Sequence, residues 1–242
     1  MSAIDRLRRR PANTPVSSAA TAALAQQLQF ELIPMKSVTA AIEALPTESH
    51  VSVTCSPVAG ITETQRLTTL LVEAGHRVTP HFAARLVTGP GEAAELAAWC
   101  RSLQLDEVYV IAGDAPEAAG PYDGALGFLR DFLGADPGTQ AIGIAGYPDG
   151  HAFIDRDIVD SVLHAKQALL DDHGVAGWVS TQMCFDAEAI ADWIRAERAK
   201  GLHLPIRLGV PGAVDRTRLV KMGMRLGVGT SMRYLTKNAS TI

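Results

Sequence analysis

The chain has 242 residues, 47% hydrophobic and 20% charged, with a formal net charge of −4 and a pI near 6.0. These values fit a soluble globular protein with a sizeable core and give no basic footprint for nucleic acid. Cys55, Cys100 and Cys184 are too few and scattered for a disulfide scaffold. No apolar run reaches the ~18 residues of a membrane span and no signal-peptide pattern opens the chain, so a cytoplasmic location is expected.

Residues 1–27 are rich in Arg, Ser and Ala. They read as an N-terminal extension, helical over 17–27, with Arg6, Arg8, Arg9 and Arg10 forming a solvated basic tail. Residues 28–242 are expected to form a single domain. Short apolar runs follow at 29–34 (QFELIP), 50–55 (HVSVTC), 77–82 (RVTPHF), 107–114 (EVYVIAGD), 141–151 (AIGIAGYPDGH), 177–182 (GWVSTQ) and 205–211 (PIRLGVP). Helical stretches lie between them at 62–74, 91–103, 125–133, 157–172 and 187–200, with another at 215–226. Over 187–200, Ile190, Trp193 and Ile194 share one face and Glu188, Asp192 and Arg195 the other, as an amphipathic helix requires. Gly75, Gly174 and Gly201 stand where helix C-caps belong.

Strands alternating with helices predict a parallel sheet, and the Val- and Ile-rich runs fit strands buried on both faces. The right-handed crossover rule leaves an open doubly wound sheet or a closed barrel. No G-x-G-x-x-G follows any strand, so the dinucleotide fingerprint is absent. The expectation is an α/β fold, a (β/α)8 TIM-type barrel whose eighth strand is unrecognised or missing. The stretch 228–235 is too rich in Gly, Ser and Arg to read as that strand.

The carboxyl ends of barrel strands form the active-site face, and here most runs end in a chemically capable residue. Glu31 lies between Phe30 and Leu32, where desolvation would raise its pKa and suit it to general-acid work; a structural ion pair is the alternative. Gly113 admits a close backbone approach, and Asp114 offers a carboxylate to an amide–amidine edge or a flavin; an Asx-turn is its bland reading. Tyr147 and His151 flank a Pro-Asp-Gly turn, giving a ring to stack on and a contact for phosphate or ribose. Thr181-Gln182 gives a neutral amide, Phe185 a ligand-packing ring and Asp186 a helix cap. His81 reads as a phosphate or ring contact or as a satisfied core histidine. Lys166 reads as a solvated helix lysine. No metal spacing and no serine or cysteine triad motif is present.

Together, FELIP, SVTC, PHF, AGD, GYPDGH and TQMCFD, in this order over about residues 28–212, resemble the methylenetetrahydrofolate reductase family. The resemblance implies a β/α barrel that reduces 5,10-methylenetetrahydrofolate to 5-methyltetrahydrofolate with NADH or NADPH, directly or through FAD. It implies Glu31 as general acid, Asp114 as a contact to pterin and flavin, and Gln182 as a contact to folate and nicotinamide. Thr54, His81, Gly113, Tyr147, His151 and Lys166 match its cofactor-contacting positions.

Three departures qualify that pattern. Ala112 stands where the family has the arginine of R-G-D, and Cys55-Ser56-Pro57-Val58 replaces an aromatic and Gly-rich loop. Both weaken the case for FAD and bring the chain closer to the actinobacterial branch, part of which transfers hydride without flavin. The family's last-strand tyrosine and arginine have no recognisable counterpart after Pro211. Two further readings stay open: a truncated or diverged member that binds folate or a partner without catalysis, and a folate-dependent methyl transferase. A missing strand would leave two open edges, which invite pairing between copies.

Overall fold

A computed structural model describes residues 27–35, 37–151, 154–184 and 186–210. The expected extension up to residue 26, the helix at 215–226, the stretch 228–235 and Phe185 lie outside the described residues. Among the described residues there are seven strands: β1 (Gln29–Leu32), β2 (His50–Val53), β3 (Arg77–Ala83), β4 (Glu107–Ile111), β5 (Ala141–Gly146), β6 (Ala176–Thr181) and β7 (Ile206–Arg207). All pairings are parallel and the strand order follows the sequence. A doubly wound sheet reverses its order at a switch point; this one never does, so the sheet curls as a TIM-type half-barrel. Among the described residues β1 and β7 are its edges.

The helices are α1 (Val38–Glu43), α2 (Gly60–Glu73), α3 (Pro90–Ser102), α4 (Ala125–Gly134), α5 (Arg156–Asp172) and α6 (Ala187–Ala199), with a 3₁₀ turn at Ala84–Leu86. α2 to α6 start and end within two residues of the sequence expectation. α1 and the 3₁₀ turn were not expected, because one or two turns are too short to show a helical period. α6 is capped as predicted: Asp186 Oδ1 accepts from the amides of Glu188 (3.0 Å) and Ala189 (3.1 Å). No helix among the described residues is long and apolar enough to cross a membrane.

The outer face of the sheet is the core. Phe82, Val108, Val110, Ile142, Ile144 and Val179 pack against helix residues Leu96, Phe128, Leu129, Leu163 and Leu170. Phe82 meets Trp99, Phe128 and Phe132 edge-on at 5.5–6.1 Å. Each such fully buried side chain contributes roughly 1.5–3 kcal/mol of transfer free energy.

The inner face is polar. Arg207 on β7 donates from both terminal nitrogens to Glu107 on β4, each at 2.8 Å. β5 and β6 lie between those strands, so the bond spans the concave interior. On the other side, Gln29 on β1 donates to Thr79 on β3 at 2.9 Å, and His50 Nε2 lies 3.4 Å from Glu107 Oε2. Glu107 thus links residues reaching from both edges of the sheet. Burial by itself would raise its carboxyl, but hydrogen bonds from Arg207 and His50 outweigh it and hold the carboxyl at about 2.

One level nearer the carboxyl ends, Gly143 faces two rings. A Cβ there would come within 2.4 Å of Trp178 and 2.6 Å of Tyr109. The missing side chain lets Tyr109 reach across β5, where its hydroxyl lies 3.4 Å from the Ser180 carbonyl. Arg207 stacks 4.0 Å from the Trp178 ring centroid, joining the aromatic level to the ionic one.

Two stability outcomes are expected. Because Glu107's folded value lies below the ordinary 4.5, it contributes stability that is present above that value and lost as pH falls toward about 2. Arg207→Met should therefore lower the unfolding free energy by about 1–3 kcal/mol at neutral pH. In urea titrations the gap from the parent should narrow on acidification below about pH 4. Gly143→Ala should cost about 1–3 kcal/mol by overpacking, read as a lower urea midpoint at unchanged slope.

Candidate active site

Because every strand runs the same way, their carboxyl ends open on one mouth. Glu31 (β1), His81 (β3), Gly113-Asp114 (after β4), Tyr147 (after β5) and Gln182 (after β6) stand on this side of the ionic level. Thr54 follows β2 directly, its amide donating to the Leu32 carbonyl at 2.9 Å.

Glu31 is accessible to solvent, yet the barrel wall strips enough hydration to lift its carboxyl above the usual carboxylate range. The two facts agree for a group in a concave mouth, which water reaches from one side only. Among the described residues no cation pairs with it. Burial pushes the Tyr109 phenol up, and the charges of Tyr147 and Glu31 add to the shift. Burial, then the charge of Asp114, does the same to Tyr147. Glu31, Tyr147 and Asp114 thus stand toward the same end of the sheet, with Tyr109 beneath them.

His81 is buried and packs edge-on against Tyr109, with ring centroids 4.6 Å apart. Burial pushes its imidazole down to about 3, so it is neutral near physiological pH. A neutral imidazole suits a ring contact better than a phosphate contact. The Thr54 hydroxyl is buried without a hydrogen-bond partner among the described residues.

Gly113 has a packing reason beyond ligand approach. Its φ is +89°, and a Cβ would sit 2.8 Å from the Ala83 Cβ on β3. Asp114 is exposed. Ala112, where the family pattern has arginine, uses its carbonyl to accept from the Arg85 amide at 2.9 Å. Arg85 directs its own guanidinium at backbone carbonyls of the next loop. The Arg85 guanidinium is thus already occupied by this loop.

The Pro-Asp-Gly turn forms as expected: the Gly150 amide donates to the Tyr147 carbonyl at 2.9 Å, with Gly150 at φ +79°. Tyr147 and His151 meet edge-on at 5.1 Å. Gln182's backbone N–H donates to the Gly146 carbonyl at 2.8 Å, fixing β6's end beside β5's. Its Oε1 accepts from the Met183 amide at 2.9 Å, which leaves Nε2 and the second Oε1 lone pair for a ligand. Cys184 Sγ lies 3.3 Å from Asp149 Oδ1 and ties the two loops together.

Lys166 is the site candidate placed apart. It is buried in the inward stripe of α5 with Leu163, Gln167 and Leu170, not solvated. Burial pushes its amine down to about 8. It sits ten residues from Arg156, the start of α5, or roughly 15 Å of helix from the end that leaves the mouth. Tyr109, Arg85 and Cys184 join the site without having been expected. Only Tyr109 carried a sequence signal, as an inward position in the alternating run EVYVI, whose burial alternates too.

No protein-family model matches the chain. A stretch of 69 residues, 28% of the chain, is 41% identical to methylenetetrahydrofolate reductase 1 of Schizosaccharomyces pombe. A stretch of 118 residues, 46% of the chain, is 29% identical to methylenetetrahydrofolate reductase 2 of Saccharomyces cerevisiae. These matches span only 11% and 19% of the two yeast proteins. A xylose isomerase domain protein from Planctomyces limnophilus aligns over 75% of the chain and 60% of its own, with 12% identity and a TM-score of 0.31. Part of this chain is thus similar in sequence to methylenetetrahydrofolate reductases.

Proposed function

We propose that the chain reduces 5,10-methylenetetrahydrofolate to 5-methyltetrahydrofolate, taking hydride from NADH or NADPH. The observation that carries the reading is Glu31: a carboxyl lifted by lost solvation, with no described cation beside it, in the mouth of the barrel. The partial similarity to the yeast reductases supports the same reading.

In the proposed sequence, protonated Glu31 gives its proton to N10 of the folate, directly or through one water. The bond between N10 and the methylene carbon breaks, leaving an iminium at N5. Hydride from the dihydronicotinamide adds to that carbon, giving the N5-methyl group and oxidised nicotinamide. Water then returns the proton to Glu31. Asp114 and the free amide edge of Gln182 hold the pterin. Tyr147, His151, neutral His81 and the unpartnered Thr54 hydroxyl line the nicotinamide side. The hydride arrives directly or through FAD; Ala112, in place of the family's arginine, supports the direct route.

NADH oxidation is to be followed with methylenetetrahydrofolate, with and without added FAD. Glu31→Gln should lower turnover by about 10²–10⁴-fold, the usual contribution of general-acid catalysis. Parent activity should fall as pH rises through the raised Glu31 value, since only the protonated form donates. A group raised on folding contributes stability below its unfolded value and loses it as pH rises through the folded value. Glu31→Gln should therefore match or exceed the parent in neutral-pH unfolding, separating lost chemistry from lost fold. Full turnover by the variant would remove Glu31 from the mechanism. Folate binding by the parent without NADH oxidation would make the chain a binder.

A further inference from the structure

We infer that Arg85 is a positioning residue that fixes Asp114 by clamping the backbone on both sides of it. The inference rests on the reading of Asp114 as a pterin contact. Arg85 lies in the 3₁₀ turn after β3, and its side chain is 21% exposed. Before Asp114, its amide donates to the Ala112 carbonyl at 2.9 Å. After Asp114, Nε donates to the Ala115 carbonyl at 2.7 Å and Nη2 to the Pro116 carbonyl at 2.9 Å. Farther along the same loop, Nη1 reaches the Asp123 carbonyl at 3.2 Å, and the Arg85 carbonyl accepts from the Ala119 amide at 2.8 Å.

One residue thus makes five hydrogen bonds to the segment 112–123. The loop is also pressed onto the β3 side at Gly120, where a Cβ would lie 2.4 Å from the Thr88 carbonyl oxygen. By contrast, no ion pair among the described residues includes the Asp114 carboxylate. Its direction is set by its own backbone, and that backbone is set by Arg85. A planar guanidinium can serve three carbonyls at once, whereas an ammonium is a compact point charge without that fork. Lysine at this position would keep the charge and the two main-chain bonds but lose the three-carbonyl fork on the loop after Asp114.

Two measurements test the inference. In amide hydrogen exchange of the ligand-free protein, Arg85→Lys and Arg85→Gln should speed exchange across 113–124 by about tenfold or more, leaving the strands unchanged. Unchanged exchange in the loop would overturn the clamp. In titrations with 5-methyltetrahydrofolate, Arg85→Gln should weaken binding by about 10–100-fold, the scale of lost charge-assisted hydrogen bonds. In an Asp114→Asn background the same change should cost nothing more, because both act through one contact. Additive losses would show a general structural role and overturn the inference. If the parent binds no reduced folate, the proposed function fails, while the exchange measurement still decides whether Arg85 holds Asp114.

Discussion

The Glu107 carboxylate is the point from which the interior of this half-barrel is organised. It receives both terminal nitrogens of Arg207 from β7 and faces His50 and Thr79 from the β1 side. Largely buried ion pairs often return little net stability, because desolvation consumes the Coulombic gain. A bidentate pair is demanding in geometry, however. Here it fixes the distance between strands separated by two others, and with it the curvature that brings the strand ends to one mouth.

Two glutamates inside the same curl have opposite fates. Glu107 meets a guanidinium and is held low; Glu31 meets a desolvating wall with no described cation and is lifted. Environments that push like groups apart mark a division of labour. One carboxyl is a charge that holds structure, and the other is lifted by lost solvation. Between them lies the aromatic level of Tyr109 and Trp178, which exists because Gly143 leaves space for both rings. It separates the ionic level from the mouth.

The loops at the mouth are held mostly by backbone bonds. The turn after β5 closes on itself, Cys184 ties it to the loop after β6, and Arg85 gathers the loop after β4. Near the mouth, the Asp114 carboxylate and Gln182 Nε2 keep free hydrogen-bonding capacity among the described residues. A rigid frame with unspent polar ends is what a preorganised site requires.

Much of this was legible in the chain. β-Branched runs alternating with amphipathic helices announce a parallel α/β sheet, because hydrophobic period and cap residues are local properties of the sequence. The Pro-Asp-Gly turn and the Asp186 cap were readable for the same reason. The strand-end residues were readable as a set because parallel strands bring all their ends to one face. Other features required tertiary structure. That Glu107 pairs with Arg207, a hundred residues away, depends on curvature that no local pattern encodes. Lys166 looked solvated because helix periodicity does not say which lysine turns inward. Arg85 carried no motif, since its partners are main-chain carbonyls that any sequence supplies. The sequence by itself determined the strands, the longer helices and which strand ends carry polar side chains, because these rest on local patterns; packing and distance in three dimensions decided which of those side chains are buried and which are paired.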